Sequence, residues 1–281
     1  FAAGISPMVI IEGHGPYVYC ADGHSYIDTV AGLGPILLGY RHDAVDSAVR
    51  QQLANGVAST SLMTRLEIEV AEMLCATIPG AVQVRYGKNG KDVTEAAVRL
   101  ARHVTGHRHM IYVGYSGGYS DYLITTDKAG GILPHLAQHN HQVPWRDFET
   151  LRDVLASCEQ DLAGIMVEVP SEAPGMTRED TRQVLANYQV QAANHRGLFI
   201  FDNIVTGFRL GLGGALSYYG VVPDLATHSK AIANGYPLSV LTGPRALMQA
   251  FEDGKVFLST TFAGEATALA AAKATLTVLQ K

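Results

Sequence analysis

Several stretches of this chain set chemically capable residues directly after short apolar runs. KNGKDVTEA (88–96) follows VQVRYG, YSGGYSD (115–121) follows HMIYVG, Glu168 lies at the end of GIMVE in GIMVEV, and Asp202 closes GLFIFD within FDNIVTGFR (201–209). Lys230 lies among small residues in PDLATHSKAIANGYP (223–237), and Thr261 lies in STTFAGE (259–265). Each suits a distinct task. KNGKD turns into a helix with Asp92 and Glu95 near its first turn, where the backbone amides of Gly90 and Lys91 can cradle a phosphate. A buried carboxylate such as Asp202 can hold a proton on a pyridine nitrogen and keep the ring an electron sink. Tyr115 can cover one face of such a ring and Ile204 the other. A lysine in a poorly solvated pocket can form an imine with an aldehyde, which is what Lys230 offers. The pieces suit an aldehyde cofactor with a phosphate and a pyridine ring, but spacing alone does not single out that assignment.

Plainer readings stand beside these. A lone lysine or aspartate is ordinarily a solvated surface charge, and a tyrosine at a strand end is often only core. Glu168 serves equally as a structural ion-pair partner or as a site group, and Arg209 reads as a structural ion-pairing residue. RYGKNGKD is not a nucleotide phosphate loop, because its first glycine is misplaced and no Ser or Thr follows Lys91. LGLGGA (210–215) does not follow the first strand of a βαβ unit, so it is no dinucleotide fingerprint. His135, His139 and His141 in HLAQHNHQ lack a supporting carboxylate pattern; they read as solvent-facing loop histidines, and no metal is expected.

The elements that must position these groups are legible as alternation. VQVRYG, HMIYVGY, GIMVEV, GLFIFD and LSVLTG are short, apolar and strand-like, while AVDSAVRQQL, RLEIEVAEMLCAT, TEAAVRLARHV and TRQVLANYQVQAANH have helical spacing. Apolar strands alternating with amphipathic helices imply a mainly parallel sheet covered on both faces. Ligands of such sheets sit beyond the carboxyl ends of the strands, where the polar clusters recur. Residues 9–30 read as short strands separated by glycine and aspartate turns. GEATALAAAKATLTVLQK, from 264 on, is a strong helix former with neither a glycine cap nor a proline stop, so the helix is expected to run to Lys281 and lead onward.

Composition narrows the class. With 47% hydrophobic and 17% charged residues, the 281-residue chain is of ordinary globular type rather than disordered. A net charge of -5 with no basic stripe argues against nucleic acid as a partner. No apolar run reaches bilayer length, and no signal peptide is visible. Cys20, Cys75 and Cys158 stand in no metal or redox spacing, which favours reduced thiols in a cytoplasmic protein.

FDNIVTGFR resembles the signature of the class III aminotransferase family, in which an acidic pair and a branched residue precede a TGFR-like turn. PDLATHSKAIANGYPLSVLTG is similar to that family's lysine segment, KNGKDVTEAAVRLAR to its phosphate loop and helix, and STTFAGEATALAAA to its threonine segment. The likeness runs in order from about residue 4 to 281, and the TGFR ending is shared with the glutamate-1-semialdehyde aminomutase branch. It implies a fold-type I α/β enzyme dependent on pyridoxal 5′-phosphate, with an N-terminal strand segment (1–42), a cofactor-binding large domain (43–245) and the start of an incomplete C-terminal region (246–281). It implies Lys230 as Schiff-base lysine and proton shuttle, Asp202 on the pyridine nitrogen, and Ile204 and Tyr115 on the ring faces. Gly90 and Lys91 would serve the phosphate, Glu168 would border the site, and Thr261 would reach the phosphate of the other subunit in a homodimer. The implied activity moves an amino group between an amine or amino acid and a carbonyl compound. An intramolecular amino shift and a non-catalytic subunit are the alternatives. Three positions depart from the family pattern. Asn203 replaces the second acid, Ser116 replaces a histidine, and Val169 stands where a proline usually follows Glu168.

Overall fold

The structure, a computed structural model, describes residues 8–56, 62–117, 130–158, 160–170 and 175–281. Near the N-terminus, β1 (Ile10–His14), β2 (Tyr17–Cys20) and β3 (Ser25–Ile27) form a small antiparallel sheet. Helices α1 (Asp43–Ala54) and α2 (Arg65–Thr77) follow, the latter opened by a reciprocal cap between Thr64 and Glu67. Next come β4 (Gln83–Gly87), α3 (Gly90–Thr105), β5 (His109–Val113), a short 3-10 helix (Pro134–His139), β6 (Asn140–Val143) and α4 (Phe148–Ser157). The chain continues through β7 (Leu162–Glu168), α5 (Arg178–Asn194), β8 (Leu198–Asp202), α6 (Gly214–Tyr219) and β9 (Leu225–His228). After a 3-10 turn at Lys230–Ala233 it ends with β10 (Ser239–Gly243), α7 (Arg245–Glu252) and α8 (Ala266–Leu279).

Seven strands make one sheet in the order β4-β10-β9-β8-β7-β5-β6. The pairs from β9 to β6 are parallel, and β10 runs antiparallel to both its neighbours. This is the expected mainly parallel sheet. Every residue of β7 except Glu168 is buried, as its unbroken apolar sequence requires of a strand covered on both faces. Alternate residues divide between two cores. Ile111, Val113, Ile165, Val167, Phe199 and Phe201 pack with α1, α2, α4, α5, α6 and α8 on one face. Met110, Tyr112, Met166, Ile200 and Leu241 pack with α3 and α7 on the other.

Strands β6 and β9 differ from the sequence expectation, which left both as connections. NHQV is an edge strand and needs no apolar run, while LATH is wholly buried with Thr227 bonded to Asp202 and His228 Nδ1 beside Asn203, although His228 Nε2 has no partner among the described residues. Helix α8 stops at Leu279, with Gln280 as its cap, rather than running through Lys281. Among the described residues no helix is long and apolar enough to cross a membrane.

Candidate active site

The parallel register brings the ends of β7, β8 and β9 side by side, so Glu168 pairs with Asp202 and Asp202 with Thr227. Asp202 is only 2% exposed. Its Oδ1 accepts from the Ile204 amide at 3.1 Å and from the Thr227 hydroxyl at 3.2 Å, and the nearby Ser116 hydroxyl favours its ionised form. Among the described residues no cation forms a salt bridge with it. Burial, and then the negative charge of Glu168, push its carboxyl from 3.8 up to about 7. Such a group resists ionising unless a cation sits beside it.

The start of α3 is shaped by Asp92, whose Oδ2 accepts from the amides of Lys88 at 2.7 Å and Asn89 at 2.9 Å. The first-turn amides of Gly90 and Lys91 stand at the positive end of this 16-residue helix. The Lys91 ammonium is turned aside, 3.2 Å from Glu95 Oε1. A Cβ on Gly90 would lie 2.8 Å from Ile204 Cδ1, so Ile204 reaches from the end of β8 to the helix start. A side chain at Gly90 would therefore oblige the end of Ile204 to shift.

Lys230 opens the 3-10 turn just beyond β9, three residues past the partner of Asp202, with a left-handed φ of 46°. Its aliphatic stem runs beside Gly34, where an added Cβ would lie 3.3 Å from Lys230 Cδ and 3.3 Å from Arg209 Nη2. Asn234 holds this arrangement by accepting from the Leu38 amide at 2.7 Å and donating to the Gly39 carbonyl at 3.0 Å. Arg209 donates to the Gly34 carbonyl. The ion pair expected of Arg209 is absent among the described residues, because the neighbouring loop presents a carbonyl rather than a carboxylate.

Asp202 thus neighbours Glu168 across the register, Ile204 follows it and meets Gly90 at the head of α3, and Lys230 comes just after the next strand. The Tyr115 ring is 62% exposed and lines a hollow with Gln142, Trp145 and Pro170, while its amide donates to Glu168 Oε2 at 2.9 Å. Residues 118–121 of YSGGYSD lie outside the described residues. Thr261 is exposed in a turn ahead of α8, and the nearby Glu265 pairs with Lys88 at 3.2 Å, which ties that turn to the segment leading into α3. Two neighbours of Asp202 escaped the sequence reading. Thr227 was hidden in a stretch read as loop; its signal was a hydroxyl three residues before the lysine. Ser116 was noted only for the histidine it replaces. Asn203, also a departure, is fully buried; it accepts from the Thr206 hydroxyl at 2.8 Å and lies 3.3 Å from His228 Nδ1. His139 and His141 correct another expectation. They are half-buried, in the 3-10 helix and in β6, rather than in a solvent-facing loop; only His135 is exposed.

The class-III aminotransferase family model matches residues 2–281. The chain belongs to the class III aminotransferase family. A 3-aminobutyryl-CoA aminotransferase of Cloacimonas acidaminovorans (strain Evry) is 35% identical over 290 residues, covering 100% of this chain and 67% of that protein. The FumI protein of Sphingopyxis sp. MTA144, solved with its pyridoxal phosphate, superposes with a TM-score of 0.88 at 25% identity, over 99% of this chain and 66% of its own. An omega-transaminase from Sphaerobacter thermophilus shares the fold with a TM-score of 0.86 at 23% identity, over 99% of this chain and 67% of its own. The chain therefore spans about two thirds of the length of these relatives. The cofactor of a class III aminotransferase is pyridoxal 5′-phosphate, and the residues here fit it. Asp202 lacks the cation that a protonated ring nitrogen supplies, Gly90 leaves the space that a side chain would fill, and Lys230 lies at the neighbouring strand end.

Proposed function

We propose that this class III aminotransferase moves an amino group between an amine or amino acid and a carbonyl compound, with Lys230 as the cofactor-bearing lysine. The observation that carries the reading is the adjacency of β8 and β9, whose ends carry a buried, cation-less carboxylate and a lysine. When bound, pyridoxal phosphate supplies the aldehyde that takes up the amino group and the ring that accepts electrons. Lys230 Nζ takes the proton from the substrate carbon and returns it one position away, acting as base and then acid. Asp202 would hold a proton on the ring nitrogen, itself steadied by Thr227. Gly90 and Lys91 would orient the phosphate with their amides, and Ile204 and Tyr115 would cover the two ring faces.

We further propose a homodimer in the cytoplasm, with Thr261 completing the neighbouring site. Its exposed position, and apolar side chains left exposed on the N-terminal sheet such as Ile11 and Ile27, support the pairing; three free cysteines support a reducing setting. The name of the Cloacimonas relative makes amines on a carbon β to a carbonyl the first donors to try. The TGFR turn favours the aminomutase branch as a second reading, which requires turnover of a single substrate without an acceptor.

Borohydride reduction of the yellow protein followed by peptide mass spectrometry tests the lysine, and incubation with a panel of amino donors tests the activity. The expected results are a phosphopyridoxyl group on the Lys230 peptide and conversion of the cofactor to its pyridoxamine form. A label on Lys88 or Lys91 instead would sink the assignment.

A further inference from the structure

At the opposite end of the sheet from Lys230 stands a group of side chains that aminotransfer does not use. His109 opens β5, so it lies roughly 13 Å along the strand from Val113 at the other end. His141 lies on the edge strand β6, opposite Ile111. Cys158 is buried at the C-terminal cap of α4. One ligand atom from each lies within 4.8 Å of the other two. The His109 and His141 rings are stacked at 5.1 Å, with Nδ1 of the first 2.8 Å from Nε2 of the second.

We propose that His109, His141 and Cys158 form a binding site for a single divalent cation of the zinc class. Two imidazoles meeting nitrogen to nitrogen must share one proton, and a metal can take that proton's place. With metal–nitrogen bonds of roughly 2.0–2.1 Å at a tetrahedral angle, the two nitrogens need part by only about half an ångström. The Cys158 thiol gives up its proton to solvent as the sulfur–metal bond forms, so binding one cation releases protons and leaves thiolate and imidazole ligands. Two nitrogens and a sulfur are the donor set that zinc and cobalt favour over magnesium or calcium. Two neighbours support the site. The Asp161 carboxylate lies 3.9 Å from His109 Nε2, on the side where a carboxylate steadies a metal-bound imidazole, and it is itself held by Arg108 at 2.5 Å. The His139 ring meets His109 edge-on at 4.9 Å, and its buried Nδ1 makes no hydrogen bond. The cation would join β5, the edge strand β6 and the end of α4, which makes the site structural rather than catalytic.

The test uses chelator-treated holoprotein titrated with Co2+ and then Zn2+. One equivalent of cobalt should bind, with thiolate-to-cobalt absorption in the near ultraviolet and the strong visible bands of a tetrahedral ion, both bleached by zinc. Cys158→Ser should remove the thiolate band, and both it and His141→Ala should weaken binding by more than the ~10–100-fold lost with an outer partner of a metal ligand. Aminotransfer and the cofactor chromophore should be unchanged. X-ray absorption at the zinc edge of the wild-type protein gives a reading that needs no variant, with one sulfur at roughly 2.3 Å and two or three nitrogens. Failure to bind one equivalent, nitrogen and oxygen neighbours alone, or an unaltered thiolate band in Cys158→Ser would each overturn the proposal.

Discussion

Glu168 and Asp202 stand opposite each other in parallel register, two carboxylates at the same end of neighbouring strands. Their likeness of charge is one reason Asp202 resists ionising, after burial itself. The pair makes Asp202 costly in the cofactor-free protein and valuable once a cation sits beside it.

The first prediction concerns pH. The unfolded chain releases this proton near 3.8, whereas the folded chain keeps it up to about 7. Between those values the native state holds more protons, so cofactor-stripped protein should lose stability as pH rises from about 4 to about 7 and then level off. Asp202→Asn should abolish that slope. Stripped of cofactor, the variant should match wild type near pH 4 and exceed it at pH 8 by on the order of a few kcal/mol. Thermal unfolding of both proteins across this range is the measurement, and parallel slopes would refute the argument.

The same substitution should harm the reaction. Negative charge develops in the cofactor ring as the substrate proton leaves, and Asp202 stabilises that state more than the starting one. Losing roughly 3–4 kcal/mol of such stabilisation slows Asp202→Ala by about two to three orders of magnitude. Asp202→Asn should be nearly as slow, because an amide cannot balance the charge. Single-turnover kinetics with an accepted donor should locate the defect in proton exchange, with cofactor still bound. Normal exchange would mean that another residue holds the ring nitrogen.

Gly90→Ala should weaken cofactor binding, since the new methyl group would lie 2.8 Å from Ile204 Cδ1. The cost expected for such overpacking is about 1–3 kcal/mol. Ile204→Val removes that terminal carbon, so the double variant should recover much of the affinity. Equilibrium dialysis against pyridoxal phosphate would show this, and no recovery in the double variant would move the phosphate elsewhere.

Mixing Lys230→Ala with Thr261→Ala subunits should restore activity that neither has alone, if each site borrows Thr261 from its neighbour. Complementation assays on co-expressed chains read this directly, and sedimentation of a fully active monomer would rule it out.

Much of this architecture could be read in the residues. HMIYVGY, GIMVEV and GLFIFD announced three buried strands because each is mostly apolar, and the carboxylates near two of their ends stood out by position. What stayed hidden depends on pairing between distant segments. LATH carries two polar residues whose partners, Asp202 and Asn203, come from another strand, so its burial could not be inferred locally. His109 and His141 lie 32 residues apart and meet only because β5 and β6 pair in one register. Tyr115 was placed correctly at a strand end, yet its ring direction depends on the turn after it, where Ser116 takes a left-handed φ of 44°.

The two hydrogen bonds of Asn234 reach back 195 and 196 residues, to Gly39 and Leu38. A contact of that span forms only after the loop between has been drawn together, which is slow and late in folding. During synthesis the segment that borders Lys230 is made 195 residues ahead of Asn234 and must wait for that partner to emerge. The lysine pocket is therefore assembled after translation has passed Asn234. A nascent chain shorter than that should capture no aldehyde, however well its phosphate loop has formed.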